Sequence, residues 1–109
     1  MNNTDEGMLL RIFIGETDRY KGLALYEQIV RKARELHLAG VTVTRGIMGY
    51  GADSEIHTAK ILRLSEDMPV IIEIIDTESN LKKILPFLDE SIDDGFVTME
   101  KVKIIKYRK

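Results

Sequence analysis

Apolar residues in this chain recur every second position, then every third or fourth, then every second again, and the whole cycle runs twice. Period 2 marks a strand with two faces, and period 3.6 marks a helix with one buried stripe. In the first strand Met8, Leu10, Ile12 and Ile14 fall on one side, and Leu9, Arg11 and Phe13 on the other. Both sides are largely apolar, which predicts a strand packed on both faces. Gly15–Gly22 is a polar connection. From Leu23 the spacing changes: Tyr26, Ile29, Val30, Ala33 and Leu36 predict a helix, with Glu27 and Arg31 one turn apart on its polar side. Gly40 is its expected left-handed terminator, and Val41–Met48 returns to the alternation of a second strand.

The second cycle opens at Pro69 with Val70–Ile75, a buried strand rich in β-branched residues. Asp76 or Thr77 can cap a second helix, whose stripe is Leu81, Ile84, Leu85, Leu88 and Ile92. Pro86 inside that stripe predicts a kink. Gly95 closes the helix, and Phe96–Tyr107 is the fourth strand. Between the cycles, Gly49–Met68 has no clean period. A connection of that length in a compact domain is usually functional or lacks fixed structure, so Ala52–Asp67 is expected to be the most mobile stretch.

The order β, α, β, long loop, β, α, β reads as two right-handed split βαβ units. The expected class is α+β: a ferredoxin-like βαββαβ sandwich with an antiparallel four-stranded sheet and both helices on one face. The 109 residues make one domain, 1–109, with a flexible N-terminus over 1–7 and a loop over 50–68. The open sheet face, carrying Leu9 and Phe13, is apolar enough to predict an interface between copies.

The chain has no cysteine, which excludes disulfides, thiolate nucleophiles and zinc–thiolate sites. Met1–Gly7 has neither the basic nor the apolar region of a signal peptide, and no apolar run approaches the ~18 residues of a membrane span. A cytoplasmic location is expected. Lys and Arg number 16 against 18 Asp and Glu, which argues against a nucleic-acid partner. The aromatic platform of an RNA-recognition motif is missing from the third strand. The charge is nevertheless uneven: Asp89, Glu90, Asp93 and Asp94 crowd one stretch, and Lys101, Lys103, Lys106, Arg108 and Lys109 another.

No serine–histidine or paired-carboxylate arrangement can be assembled, so no enzymatic activity is expected. Asp53, Glu55 and His57 alternate along one segment, but with no second histidine nearby no metal site is assigned. His37 is expected to interact with carbonyls at the helix end. Glu16, leaving the first strand, is expected to pair with Arg45 or Arg11. The most unusual stretch is Arg45-Gly46-Ile47-Met48-Gly49-Tyr50-Gly51. Its glycines permit positive φ and close backbone approach, as a phosphate, a neighbouring subunit or a β-bulge requires.

Gly40-Val41-Thr42-Val43, Gly49-Tyr50-Gly51, His57-Thr58 and Val70–Asp76 together resemble PII nitrogen-regulatory proteins, which carry a glycine–aromatic–glycine turn at the base of a long T-loop. The chain is more similar to the PII-like family of uncharacterised function often encoded near fluoride exporters. That likeness lies in Leu10-Arg11-Ile12-Phe13-Ile14-Gly15-Glu16, Arg45-Gly46-Ile47-x-Gly49-Tyr50-Gly51, and Leu64-Ser65-Glu66-Asp67-Met68-Pro69 leading into Ile-Glu-Ile-Ile-Asp.

The resemblance implies a cytoplasmic homotrimer that binds an adenine nucleotide, AMP or ADP, in clefts between subunits, with no obligatory cofactor. Carried over by position, the nucleotide site is Arg45, Gly46, Gly49, Tyr50 and Gly51, with Lys106 at the place of one phosphate-binding arginine. Ile104 stands at the place of another. Asp93-Asp94-Gly95-Phe96 is acidic where PII proteins hold phosphate, which favours one or two phosphates over three. Asp53, Glu55, His57 and Lys60 are the loop positions that would meet a partner protein, such as a membrane transporter or channel. The alternative is a ligand-free adaptor trimer recruiting such a transporter.

Overall fold

The computed structural model describes residues 2–50, 57–58 and 67–107. Its elements in chain order are β1 (Asn2–Gly15), β2 (Arg19–Tyr20), β3 (Leu23–Ala24), α1 (Leu25–Glu35), β4 (Val41–Arg45), β5 (Met48–Gly49), β6 (His57–Thr58), β7 (Pro69–Asp76), α2 (Glu78–Leu81), α3 (Leu85–Ser91) and β8 (Phe96–Tyr107). The main sheet has the order β4-β7-β1-β8, with every neighbouring pair antiparallel. This is the ferredoxin-like α+β sandwich that the two sequence cycles predict.

The core lies between the sheet and the helices. Leu10, Ile12 and Ile14 of β1 and Val70, Ile72 and Ile74 of β7 pack against Leu25, Ile29 and Ala33 of α1 and against Leu81, Ile84 and Leu88. The α1 residues are four apart, which stacks them on one helix face. Burying each large side chain contributes roughly 1.5–3 kcal/mol relative to leaving it wet.

The opposite sheet face is less uniformly apolar than expected. Leu9, Phe13, Ile71, Ile75 and Phe96 share it with Arg11, whose guanidinium pairs with Glu73 at 2.8 Å and Glu100 at 2.6 Å. Leu9 is nonetheless only 8% exposed, beside this cluster.

Several boundaries differ from the sequence reading, each for a local reason. Residues 2–7, expected to be a flexible terminus, extend β1 and pair with Val102–Tyr107 of β8. Backbone pairing in such a ribbon needs no apolar alternation, so the polar composition concealed it. The connection Gly15–Gly22 contains the β2–β3 hairpin, turned by Lys21 (φ 52°) and Gly22 (φ 82°). Two positive φ values in a two-residue loop are the I′ pattern suited to strand twist. Gln28 of α1 holds this hairpin by donating to the Tyr20 and Leu23 carbonyls, and Tyr20 packs edge-on against Phe87.

Pro86 breaks the second helix where a kink was expected. Lacking an N–H for the Lys82 carbonyl, it sits in the first turn of α3, where its fixed φ costs nothing. Thr77 caps α2 by accepting the Asn80 N–H at 3.2 Å.

The left-handed terminator of α1 is His37 (φ 60°), three residues before Gly40. Its N–H donates to the Arg34 carbonyl and that of Leu38 to the Ala33 carbonyl, both at 3.0 Å, which is a Schellman pair. The helix-end role expected for this residue is thus carried by its backbone. A β-carbon in that region is strained, so His37→Gly is expected to stabilise the protein by about 0.5–1 kcal/mol. Urea unfolding reads this directly; a lower midpoint in the variant would refute it.

Candidate functional site

The antiparallel register brings the C-terminal ends of β1 and β4 and the N-terminal ends of β7 and β8 to one end of the sheet. Phe13 there faces Phe96, Gly15 faces Pro69 and Arg45 faces Val70. These strand ends leave a cleft of about 570 Å³, within the range of small-molecule sites.

Its lining is of two kinds. Phe13, Phe96, Met48, Tyr50, Pro69 and Ile71 supply apolar and aromatic surface, and Asp18, Asp67 and Asp94 supply carboxylates. Phe13 and Phe96 are stacked with centroids 4.6 Å apart. Phe96 remains 60% exposed and Tyr50 68% exposed.

The carboxylates are anchored by the turn after β1. Asp18 accepts the Gly15 N–H at 2.9 Å, and Asp67 accepts the Thr17 N–H at 3.0 Å. Glu16 N–H donates to the Met68 carbonyl at 2.8 Å, which ties the turn to the start of β7. Burial pushes the Asp18 carboxyl up; the Gly15 N–H opposes this, while the charges of Asp67, Asp94 and Asp93 add to it. This end of the cleft is electrically negative.

Of the residues singled out in the sequence, Gly46, Gly49 and Tyr50 line the cleft. The glycines are there for close approach and not for positive φ, since among the described glycines only Gly22 and Gly95 have positive φ. A β-carbon at Gly46 would stand 2.7 Å from Pro69 Cγ, and one at Gly49 3.2 Å from the same atom. The Gly46 N–H donates to the Pro69 carbonyl at 2.7 Å. This close approach interrupts the second strand after Arg45, three residues short of the expected end at Met48. The stretch Met48–Gly49 instead pairs with His57–Thr58, so the base of the 50–68 loop is a short ribbon.

Gly51, Asp53, Glu55 and Lys60 lie outside the described residues, as does most of that loop; His57 is described as backbone opposite Gly49. Arg45 pairs with Glu16 at 3.0 Å, as expected, and does not line the cleft. Lys106 pairs with Asn3 near the far end of β8, ten residues from Phe96. That is roughly 33 Å along the strand, too far to reach the same chain's cleft. Among the described residues no group of acidic or histidine side chains is placed to hold a metal ion, and no helix is long and apolar enough to cross a membrane.

The stacked Phe13–Phe96 pair and the three cleft carboxylates were not assigned to a site from sequence. All five lie within four residues of a strand end, and the strand order alone assembles them.

A four-stranded sheet with both helices on one face and a cleft at the root of its long loop defines a PII-like fold. Solved structures share it. The chain superposes on CPII of Thiomonas intermedia K12, a nitrogen regulatory PII-like protein bound to ADP, AMP and bicarbonate, with a TM-score of 0.63 at 14% identity, covering 94% of this chain and 91% of that one. A PII-like signaling protein of Thermus thermophilus, described as putative in its source, gives 0.65 at 19% identity over 94% and 92%. The chain belongs to the DUF190 family, "Uncharacterized ACR, COG1993", whose model matches residues 7–104. A UPF0166 protein of Aquifex aeolicus is 39% identical over 89% of this chain and 91% of its own length. The UPF0166 protein MJ1524 of Methanocaldococcus jannaschii is 34% identical over 90% and 91%.

Proposed function

We propose that this protein is a cytoplasmic PII-like regulator, not an enzyme, that binds AMP or ADP and uses the segment between β5 and β7 to contact a partner protein. The observation that carries this reading is the aromatic cleft at the root of that segment. A ligand there touches both the sheet end and the loop base through Gly46, Gly49 and Tyr50. Binding therefore biases the conformation that a partner meets, because a ligand shifts populations toward the state it contacts best. CPII, which shares the fold, has been seen with ADP and AMP.

In this reading the protein is a homotrimer. Leu9, Phe13, Ile71, Ile75 and Phe96 on the open sheet face give copies an apolar surface to bury. Arg45 and Gly51 contribute to the nucleotide site, and Lys106 reaches it from a neighbouring copy. Asp53, Glu55, His57 and Lys60 belong to the partner-facing loop.

A thermal-shift series with AMP, ADP, ATP and cyclic AMP tests the reading. AMP or ADP at about 100 times its Kd should add about 2.7 kcal/mol of apparent stability. Light scattering should give three times the chain mass. No shift with any nucleotide would leave a ligand-free adaptor as the better account, and a monomer at micromolar concentration would remove the intersubunit site.

A further inference from the structure

We infer that the carboxylate end of the cleft receives the amino edge of an adenine base, so that a bound nucleotide points its phosphates away from Asp18, Asp67 and Asp94. This rests on the nucleotide reading above and adds its orientation and base specificity. The cleft separates two chemistries. Phe96, backed by Phe13 and 60% exposed, offers a flat apolar surface on which a purine can stack. The carboxylates that share the cleft are acceptors when ionised, and two of them are already fixed by the Gly15 and Thr17 N–H groups.

A phosphate also only accepts hydrogen bonds and carries the same charge, so it has nothing to gain beside them. The exocyclic amine of adenine donates two N–H bonds, and hypoxanthine has a carbonyl acceptor in that place. The mutual charge effect of Asp67, Asp94 and Asp93 on Asp18 shows how closely the acids are grouped. Arg45, the cation nearest the loop root in sequence, lies outside the cleft lining, where outward-pointing phosphates would meet it.

Calorimetry on the full chain with adenosine, AMP, ADP, ATP and inosine 5′-monophosphate tests this at one ionic strength. AMP should bind about tenfold tighter than inosine monophosphate, because a charge-assisted hydrogen bond is lost and an acceptor faces an acceptor. Adenosine should retain binding, and affinity should fall from AMP to ATP. Asp94→Asn, at an exposed position, should bring AMP and inosine monophosphate within about threefold and reduce the penalty for ATP. Equal binding of the two monophosphates, or tighter binding of ATP than AMP, would overturn the orientation while leaving the nucleotide reading intact. Absence of binding by every adenine compound would overturn both.

Discussion

Asp76→Ala is expected to destabilise the protein by about 3 kcal/mol at neutral pH, with a penalty that shrinks in acid. Asp76 ends β7 with only 8% of its surface exposed. Its carboxylate accepts the Thr77 N–H at 2.7 Å, the Asn80 amide at 2.9 Å and the Ala39 N–H at 2.9 Å. One side chain thereby fixes the start of α2 and the crossover from α1 to β4. Truncation leaves these donors without their acceptor, a cost larger than the net worth of the bonds.

Burial alone would push the Asp76 carboxyl up, but the bonds from Asn80, Thr77 and Ala39 and the charge of Lys106 hold it below its ordinary value. Below about pH 5 the unfolded chain therefore takes up the proton first. The contribution of the carboxylate is complete above that pH and is lost as pH falls through the folded value. Urea unfolding at pH 7 and at pH 3 should show parent and variant converging. A gap that stays constant across that window would mean that the ionised form is not what stabilises the junction.

The sequence carried Asp76 as one of two helix caps, with no sign that its carboxylate also holds Ala39, 37 residues away. The same limit explains most differences between pattern and structure. Periodicity located the four main strands and both helical stripes because burial on one face leaves a record every two or every 3.6 residues. It missed the β1 extension over residues 2–7, whose partner is the far end of β8 and whose side chains need not be apolar. It placed the terminator of α1 at Gly40 because glycine is the usual left-handed residue, while the chain uses His37. The cleft was half legible. Gly46, Gly49 and Tyr50 were read from their own unusual spacing, but Phe13, Asp18, Asp67, Asp94 and Phe96 look ordinary until β1, β7 and β8 are laid side by side. Lys106 shows the converse, since matching by position placed it at a site that its own chain cannot bring it to.

Gly46→Ala should cost about 2 kcal/mol, and that cost should largely disappear when Pro69 is replaced by Ala as well. The glycine was legible as a point of close approach, and the structure identifies what approaches it. Its β-carbon would stand 2.7 Å from Pro69 Cγ and 3.3 Å from the Pro69 carbonyl oxygen, which accepts the Gly46 N–H. Pro69 opens β7 opposite Gly15 and cannot retreat without disturbing that pairing. A methyl group at Gly46 therefore displaces the start of β5, and with it Met48 and Tyr50 in the cleft, so nucleotide affinity should fall together with stability. Removing the proline ring relieves the clash at its origin. A double-mutant cycle by urea unfolding should return a favourable coupling of about 1–2 kcal/mol. Coupling near zero would show that the glycine is not required by Pro69. If Gly46→Ala instead kept full stability while abolishing AMP binding, the glycine would serve the ligand directly, as a phosphate-approach position would.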